Sequence, residues 1–339
     1  MIAPVVAALL LLLCGPRPDI SPRAPSPVIQ SSSGEHGSTR TLAYVMRGEV
    51  SLLGFWFGRD NVGGGSVSLS QGTEEHDGQF WEEVEVLFGS NPERVPGKVN
   101  LWGYGRERAR WTRTVSGGQE LLQSVFEGVM QPKEEIPASV QAYMKSREGR
   151  HSFLFKSVRS VVNQKEATTE ARYFVEREDF DYRAPERLIR RYQENISSTP
   201  PEFRRTLERQ AAGYGAPAGF LTAARDVVAT VVDEAARGPT GWTRVRPSVR
   251  YAFHAKPFRL SVTRLRAVAR FDAPFLGQRG ASLQNVAQVD LRIENLKQAL
   301  TYDFTLWLGL DGPLRGLPLR IVYKPSWWLR LRLDLTTLS

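Results

Sequence analysis

GFWFGRDNVGGGSVSLSQ, residues 54–71, poses the question on which the fold turns, because three consecutive glycines follow an aromatic triplet. Such a stretch is either a phosphate-cradling loop or part of a β structure. Gly58 and Gly63 have the spacing of a P-loop, but Gly64 stands where the phosphate-binding lysine belongs. Ser66-Val67-Ser68-Leu69-Ser70 then alternates as a strand does, so no helix N-terminus follows to aim its amides at a phosphate. The dinucleotide fingerprint fails for the same reason. The glycines are therefore expected to turn the chain between two strands, through a hairpin or bulged connection. Phe55, Trp56 and Phe57 would build core or cavity wall ahead of that turn.

Upstream, Leu42, Tyr44, Met46, Val50 and Leu52 alternate with Ala43, Val45, Arg47, Glu49 and Ser51, giving one apolar and one mostly polar face. Further strands are expected at 66–70, 80–88 and 99–114, separated by Gly, Asn, Asp and Pro clusters. The middle reads differently. Leu121, Leu122, Val125 and Val129 have helical spacing within 118–130, and 151–162 with 168–176 look like a hairpin. Leu188, Ile189, Tyr192 and Ile196 mark a short helix after Pro185, and another is expected after Thr199. The clearest helix covers 218–237, where Phe220, Leu221, Ala224, Val227, Val228, Val231, Val232 and Ala235 make one stripe, stopped by Gly238 and Pro239.

The last third returns to period two. Phe258, Leu260 and Val262 alternate, and the phase slips before Leu265 and Ala267, which predicts a bulge near Thr263 and Arg264. Residues 287–293, 302–310 and 329–335 each alternate cleanly, as an antiparallel meander with one wet face does. The expected organisation is a leader at 1–14, an unstructured linker at 15–40, an N-terminal β segment at 41–116, a mainly helical insertion with a hairpin at 117–246, and a C-terminal meander at 247–339. The fold class expected is α+β: a curved, half-barrel-like antiparallel sheet from both chain ends, with a central helical segment.

Cys14 is the one cysteine, which excludes an intramolecular disulfide framework and a Cys-rich zinc site. It ends the apolar run 5–13, which has the length of a signal-peptide core and is too short to span a bilayer. Leu11-Leu12-Leu13-Cys14-Gly15 resembles a bacterial lipobox, although Leu13 occupies the place of a small residue and no Lys or Arg precedes the run. Three fates stay open: lipidation of Cys14, simple signal cleavage, or an uncleaved or misplaced N-terminus. The expected location is the bacterial envelope, in the periplasm or anchored to the outer membrane. The formal net charge of +9 would attract an anionic membrane surface, but acids interleave the arginines almost everywhere, so a solvated basic surface is the plain reading.

Catalytic signals are sparse. There is no G-x-S-x-G elbow, and His36, His76, His151 and His254 lack metal-binding spacing, so neither metal nor cofactor is expected. Glu82, Glu83 and Glu85 share one strand, and Glu178, Asp179 and Asp181 form a second acidic cluster. Either could supply the carboxylate pair of a secreted hydrolase, with solvated strand face and helix cap as the plain readings. Arg183, Arg187, Arg190, Arg191, Arg204, Arg205 and Arg209 form the densest basic region, but aromatics are not interleaved for base stacking, so nucleic acid is not an expected partner.

Asp303-Phe304-Thr305-Leu306-Trp307-Leu308-Gly309-Leu310-Asp311 followed by Leu317-Pro318-Leu319-Arg320-Ile321 resembles the closing hairpin of exported bacterial families of unknown function. Leu42-Ala43-Tyr44 with Leu53-Gly54 is similar to their first strand. Those families resemble the lipoprotein-carrier half-barrel, and the resemblance implies a curved sheet with helices in its mouth. The expectation that follows is a non-enzymatic envelope protein binding an apolar ligand, lipid or lipoprotein segment, in a cavity lined by residues such as Phe55, Trp56, Phe57, Leu306 and Trp328. The alternatives are the secreted hydrolase and a structural or partner-binding envelope module.

Overall fold

The structure is a computed structural model and describes residues 37–52, 55–73, 79–91, 94, 102–113, 119–130, 153–163, 166–176, 204–211, 219–238, 241–253, 256–273, 275, 281–298, 300–326 and 329–338. Eight strands come first: β1 (Gly37–Leu52), β2 (Phe55–Thr73), β3 (Phe80–Ser90), β4 (Trp102–Arg113), β5 (Gln119–Met130), β6 (Phe153–Asn163), β7 (Glu166–Glu176) and β8 (Arg204–Ala211). One α-helix, α1 (Phe220–Arg237), precedes β9 (Ser248–Phe253) and β10 (Lys256–Val268). A small hairpin of β11 (Phe271–Asp272) and β12 (Ser282–Leu283) leads to β13 (Val286–Asn295), β14 (Leu300–Gly309), β15 (Pro318–Ser326) and β16 (Leu329–Leu338).

Fourteen of these strands form one antiparallel sheet in the order β8-β7-β6-β5-β4-β3-β2-β1-β16-β15-β14-β13-β10-β9. The sheet curls until its two ends come together. Phe126 of β5 meets Phe253 of β9 with ring centroids 5.0 Å apart, and Ala252 packs on Val162 of β6 and Ala167 of β7. Register shifts at Ala43/Tyr44, Met46/Gly48, Arg110/Trp111, Val262/Arg264 and Trp307/Leu308 supply the bends that such closure needs. The expected α+β half-barrel with a central helical segment is therefore corrected to a nearly closed, barrel-like sheet with one α-helix among the described residues.

Three local readings change with it. Residues 119–130, expected as a helix, are β5; its inward side chains include Ser124 and Phe126, while Val125 points the other way. Residues 204–211, expected within a helix after Thr199, are β8. Gly63, Gly64 and Gly65 do not turn the chain. They lie inside β2, pairing with β1 on one side and β3 on the other, and the reversal occurs earlier, between Leu52 and Phe55. β2 does bulge just ahead of them: Met46 pairs with Gly63 and Gly48 with Arg59, so β2 carries surplus residues there, among them Asn61 at φ 56°. The glycines serve close approach. A Cβ on Gly64 would lie 2.7 Å from the carbonyl oxygen of Tyr44, and one on Gly65 2.3 Å from that of Leu87.

The hairpin expected at 151–176 is β6–β7, the bulge expected near Thr263 is the register shift between Val262 and Arg264, and the helix expected at 218–237 is α1. The short helix expected after Pro185 lies outside the described residues, as does almost all of the 1–40 leader and linker. β1 already begins at Gly37.

α1 sits inside the curl. Its residues Phe220, Leu221, Ala224, Val227, Val228, Val231 and Val232 join Leu42, Tyr44, Val86, Leu260, Leu291, Leu306 and Leu335 in one continuous apolar core. Outer faces of the same strands are polar, with paired Thr39–Ser70 and Thr41–Ser68 hydroxyls on β1–β2, and Arg259–Glu294 and Arg292–Asp303 ion pairs on β10, β13 and β14. This inside–outside alternation, read at period two, is what makes the strands close around the helix.

Candidate functional site

Two places stand apart from ordinary core and solvated surface. The first is one end of the barrel. β1 and β2 continue past the wall there: the β2–β3 ladder runs only from Gly63 onward, with one further bond from the Asn91 amide to the Val62 carbonyl at 2.7 Å, so among the described residues 55–61 pair with β1 alone. Val50 pairs with Phe57, Leu52 with Phe55, and Val50 also with Leu329 of β16. Directly paired residues share a face. Phe55 and Phe57 thus extend the apolar inner face beyond the wall, where they are 71% and 59% exposed. Trp56 points to the outer side, 40% exposed, with the Arg330 guanidinium 4.2 Å above its ring. Beneath lies Glu49, almost fully buried, which accepts a hydrogen bond from Arg330 at 2.9 Å and pairs with Arg47 at 3.3 Å.

The β13–β14 turn lies at this same end, because β14 starts there and pairs through β15 and β16 back to β1. It contributes exposed Leu296 and Leu300. Among the described residues six large apolar side chains are exposed, and five of them are at this end; Leu338 is at the other. Just inside, Phe220 at the start of α1 packs on Tyr251 and Phe253 at 5.3 and 6.0 Å, and Tyr251 stacks on Phe258 at 5.5 Å. Aromatic rings thus line the interior next to the helix N-terminus.

The second place is a buried polar seam between α1 and the β3–β5 wall. Glu107 of β4 accepts hydrogen bonds from the Ser124 hydroxyl at 2.7 Å and from the Leu221 backbone amide at 2.9 Å. Burial pushes its carboxyl above the ordinary carboxylate range, while the bonds from Ser124, Leu221 and the Thr222 amide pull it back. Burial, and then the nearby Glu107, raises the Tyr251 phenol as well. One turn along the helix, Arg225 forms an ion pair with Glu82 of β3 and lies over the Trp111 ring at 5.1 Å. With partners supplied by β3, β4 and β5, this seam fixes the position of the helix.

Four of the residues expected to line a binding cavity are described, and they fall in two places. Phe55, Trp56 and Phe57 are at the exposed end, whereas Leu306 is wholly buried mid-barrel, paired with Val289 and Ile321. Trp328 and Cys14 lie outside the described residues, as do the four histidines and Glu178, Asp179 and Asp181. So do Arg183, Arg187, Arg190 and Arg191; Arg204, Arg205 and Arg209 are on β8. Glu83 and Glu85 share a face, as expected, but it is the outer face of the wall. Glu85 accepts a hydrogen bond from the Tyr104 hydroxyl at 3.3 Å, and Arg106, between them and Glu127, pairs with Glu127 at 2.6 Å. Burial raises Glu83 somewhat, against the lowering by Arg106 and Arg108. Both carboxylates are thus set among arginines, with Glu85 paired across the ladder to Arg106 and Glu83 to Arg108.

Glu107, Arg225, Leu296 and Leu300 were not foreseen. Arg225 left a trace, since it falls at i+4 from Leu221 and i−3 from Val228 on an otherwise apolar stripe. Among the described residues no helix is long and apolar enough to cross a membrane, and no group of three or more His, Cys, Asp or Glu could hold a metal ion.

No protein-family model matches the chain, and no curated protein matches it. Among solved structures it is similar to a beta-barrel-like protein of a domain of unknown function, DUF1849, from Brucella abortus, with 8% sequence identity over 89% of this chain and 97% of that one and a TM-score of 0.35. The similarity is to a curved, barrel-like sheet of unknown function.

Proposed function

We propose that this chain is an exported, non-enzymatic envelope protein that binds an apolar ligand, lipid or lipoprotein segment at the apolar end of its barrel. The observation that carries this reading is the segregation of exposed large apolar side chains among the described residues: Phe55, Trp56, Phe57, Leu296 and Leu300 together at one end, against Leu338 at the other. Scattered exposed leucines are normal on any surface, but a gathered set that includes aromatics marks a contact site. The apolar run at 5–13 and the Pro- and Ser-rich stretch after it support placement in the envelope. Binding needs no catalytic group.

The test is uptake of a hydrophobic fluorescent probe by delipidated protein, together with mass spectrometry of whatever lipid co-purifies. Saturable uptake that falls in a Phe55→Ser/Phe57→Ser variant is expected. Absence of any uptake overturns the proposal.

A further inference from the structure

Resting on the binding role proposed above, we infer that the partner of this barrel end is the surface of an anionic phospholipid bilayer, into which the β1–β2 tip inserts.

The first argument is width. Exposed apolar groups occur on the β1–β2 tip and again at the β13–β14 turn. In the order β2-β1-β16-β15-β14-β13 these lie up to five strand spacings apart, about 24 Å measured along the curled sheet. A single acyl chain or an extended peptide contacts a strip much narrower than that. A planar partner meets both turns at once.

The second argument is the kind of side chain. Two phenylalanines point along the inner face of the protruding hairpin and a tryptophan lies on its outer face, stacked under a guanidinium. An apolar ring flanked by an indole and a cation suits the boundary between acyl chains and headgroups, where aromatic side chains with a polar edge are favoured.

The third argument is charge. Arg59 is exposed on the hairpin itself, Lys297 is exposed in the β13–β14 turn, Lys324 is exposed toward the end of β15, and Lys256 begins β10 at the same end. Acids described at this end are engaged: Glu49 by Arg47 and Arg330, Asp60 by Arg47 at 3.0 Å, and Glu294 by Arg259 at 2.6 Å. The end is apolar in front and cationic around it, complementary to anionic headgroups over an acyl interior.

The experiment uses the purified full chain and co-sedimentation with vesicles of phosphatidylcholine alone or of phosphatidylcholine mixed with phosphatidylglycerol. Binding to the mixed vesicles should exceed binding to the neutral ones by about tenfold or more and weaken with added salt. A Phe55→Ser/Phe57→Ser variant and an Arg59→Gln/Lys297→Gln/Lys324→Gln variant should each lose most of that binding, with unchanged circular dichroism, since the altered side chains are exposed. Leu338→Ser, at the opposite end, should bind as the parent does. Equal binding to neutral and anionic vesicles overturns the inference and leaves the apolar-ligand role standing. So does probe uptake without vesicle binding, which would point to a soluble lipid or a peptide. Vesicle binding that persists in both rim variants overturns the assignment to this end. Failure with probe and vesicles alike overturns both proposals.

Discussion

Glu107, in the middle of β4, accepts the backbone N–H of Leu221 at 2.9 Å, so that the barrel wall caps the helix. The helix has no cap of its own: Gly219, at the N-cap position, offers no side chain. A side chain there would displace the cap, because a Cβ on Gly219 would fall 2.3 Å from a Glu107 carboxylate oxygen and 2.4 Å from the Ser124 hydroxyl, both buried. A buried carboxylate at a helix N-terminus also faces the positive end of the helix dipole. Replacing Glu107 by Ala should cost about 1–2 kcal/mol, the usual worth of an N-cap. Glu107→Gln, which keeps an acceptor for the Leu221 amide, should cost clearly less. Urea unfolding of the two variants checks the difference.

The same carboxyl makes stability depend on pH with a definite sign. Its folded-state pKa is raised, chiefly by burial, so the native state holds the proton more tightly than the unfolded chain does. The stabilisation from that proton is complete below the ordinary carboxylate pKa and is lost as pH rises through the raised value. Glu83 is shifted in the same direction, again chiefly by burial, and adds the same sign. The stability difference between parent and Glu107→Gln, measured across that range, should therefore change in favour of the variant as pH rises. A difference independent of pH would refute the assignment.

Arg225 and Glu82 form a partly buried ion pair between helix and wall, with side chains 8% and 22% exposed. Removing one partner leaves a charge stranded in low dielectric. Glu82→Leu alone should destabilise by about 3 kcal/mol. The double variant Glu82→Leu/Arg225→Met should recover much of the loss, and a double-mutant cycle by chemical denaturation measures the coupling.

Glycine replacements in β2 should separate by position. A Cβ at Gly65 would meet the Leu87 carbonyl and the Phe88 backbone, none of which can move without breaking the ladder to β3. Gly65→Ala should therefore cost about 1–3 kcal/mol, as overpacking does. At Gly58 the nearest atoms belong to the flexible Arg47 guanidinium, 2.3 Å away. Gly58→Ala should be nearly neutral, and thermal unfolding of both variants decides.

These glycines show where the sequence was legible and where it was not. The C-terminal strands could be read because each keeps one face in the core and one in water, down to the bulge at Val262/Arg264. β5 could not. Its inner face must include the polar Ser124 to serve Glu107, while Val125 and Val129 point outward, so its apolar residues fall at helical intervals by accident of function. The glycine run was misread because its cause lies outside it, in the backbones of Tyr44 and Leu87 on the neighbouring strands. For the candidate site, Phe55, Trp56 and Phe57 were conspicuous in the sequence, but only the strand register carries Leu296 and Leu300 to the same end. The reach of β2 beyond β3, which leaves the aromatics exposed, is likewise a matter of register.

The edges of the sheet, β8 and β9, are successive strands in the chain, and α1 is the helix between them. The covalent path from one side of the barrel's seam to the other therefore runs through the helix that fills its interior. That helix is fastened to β4 by Glu107 and to β9 through Phe220. The element that fills the barrel is thus also the one that spans its seam, and pulling on either flank of the helix would load an edge strand of the sheet.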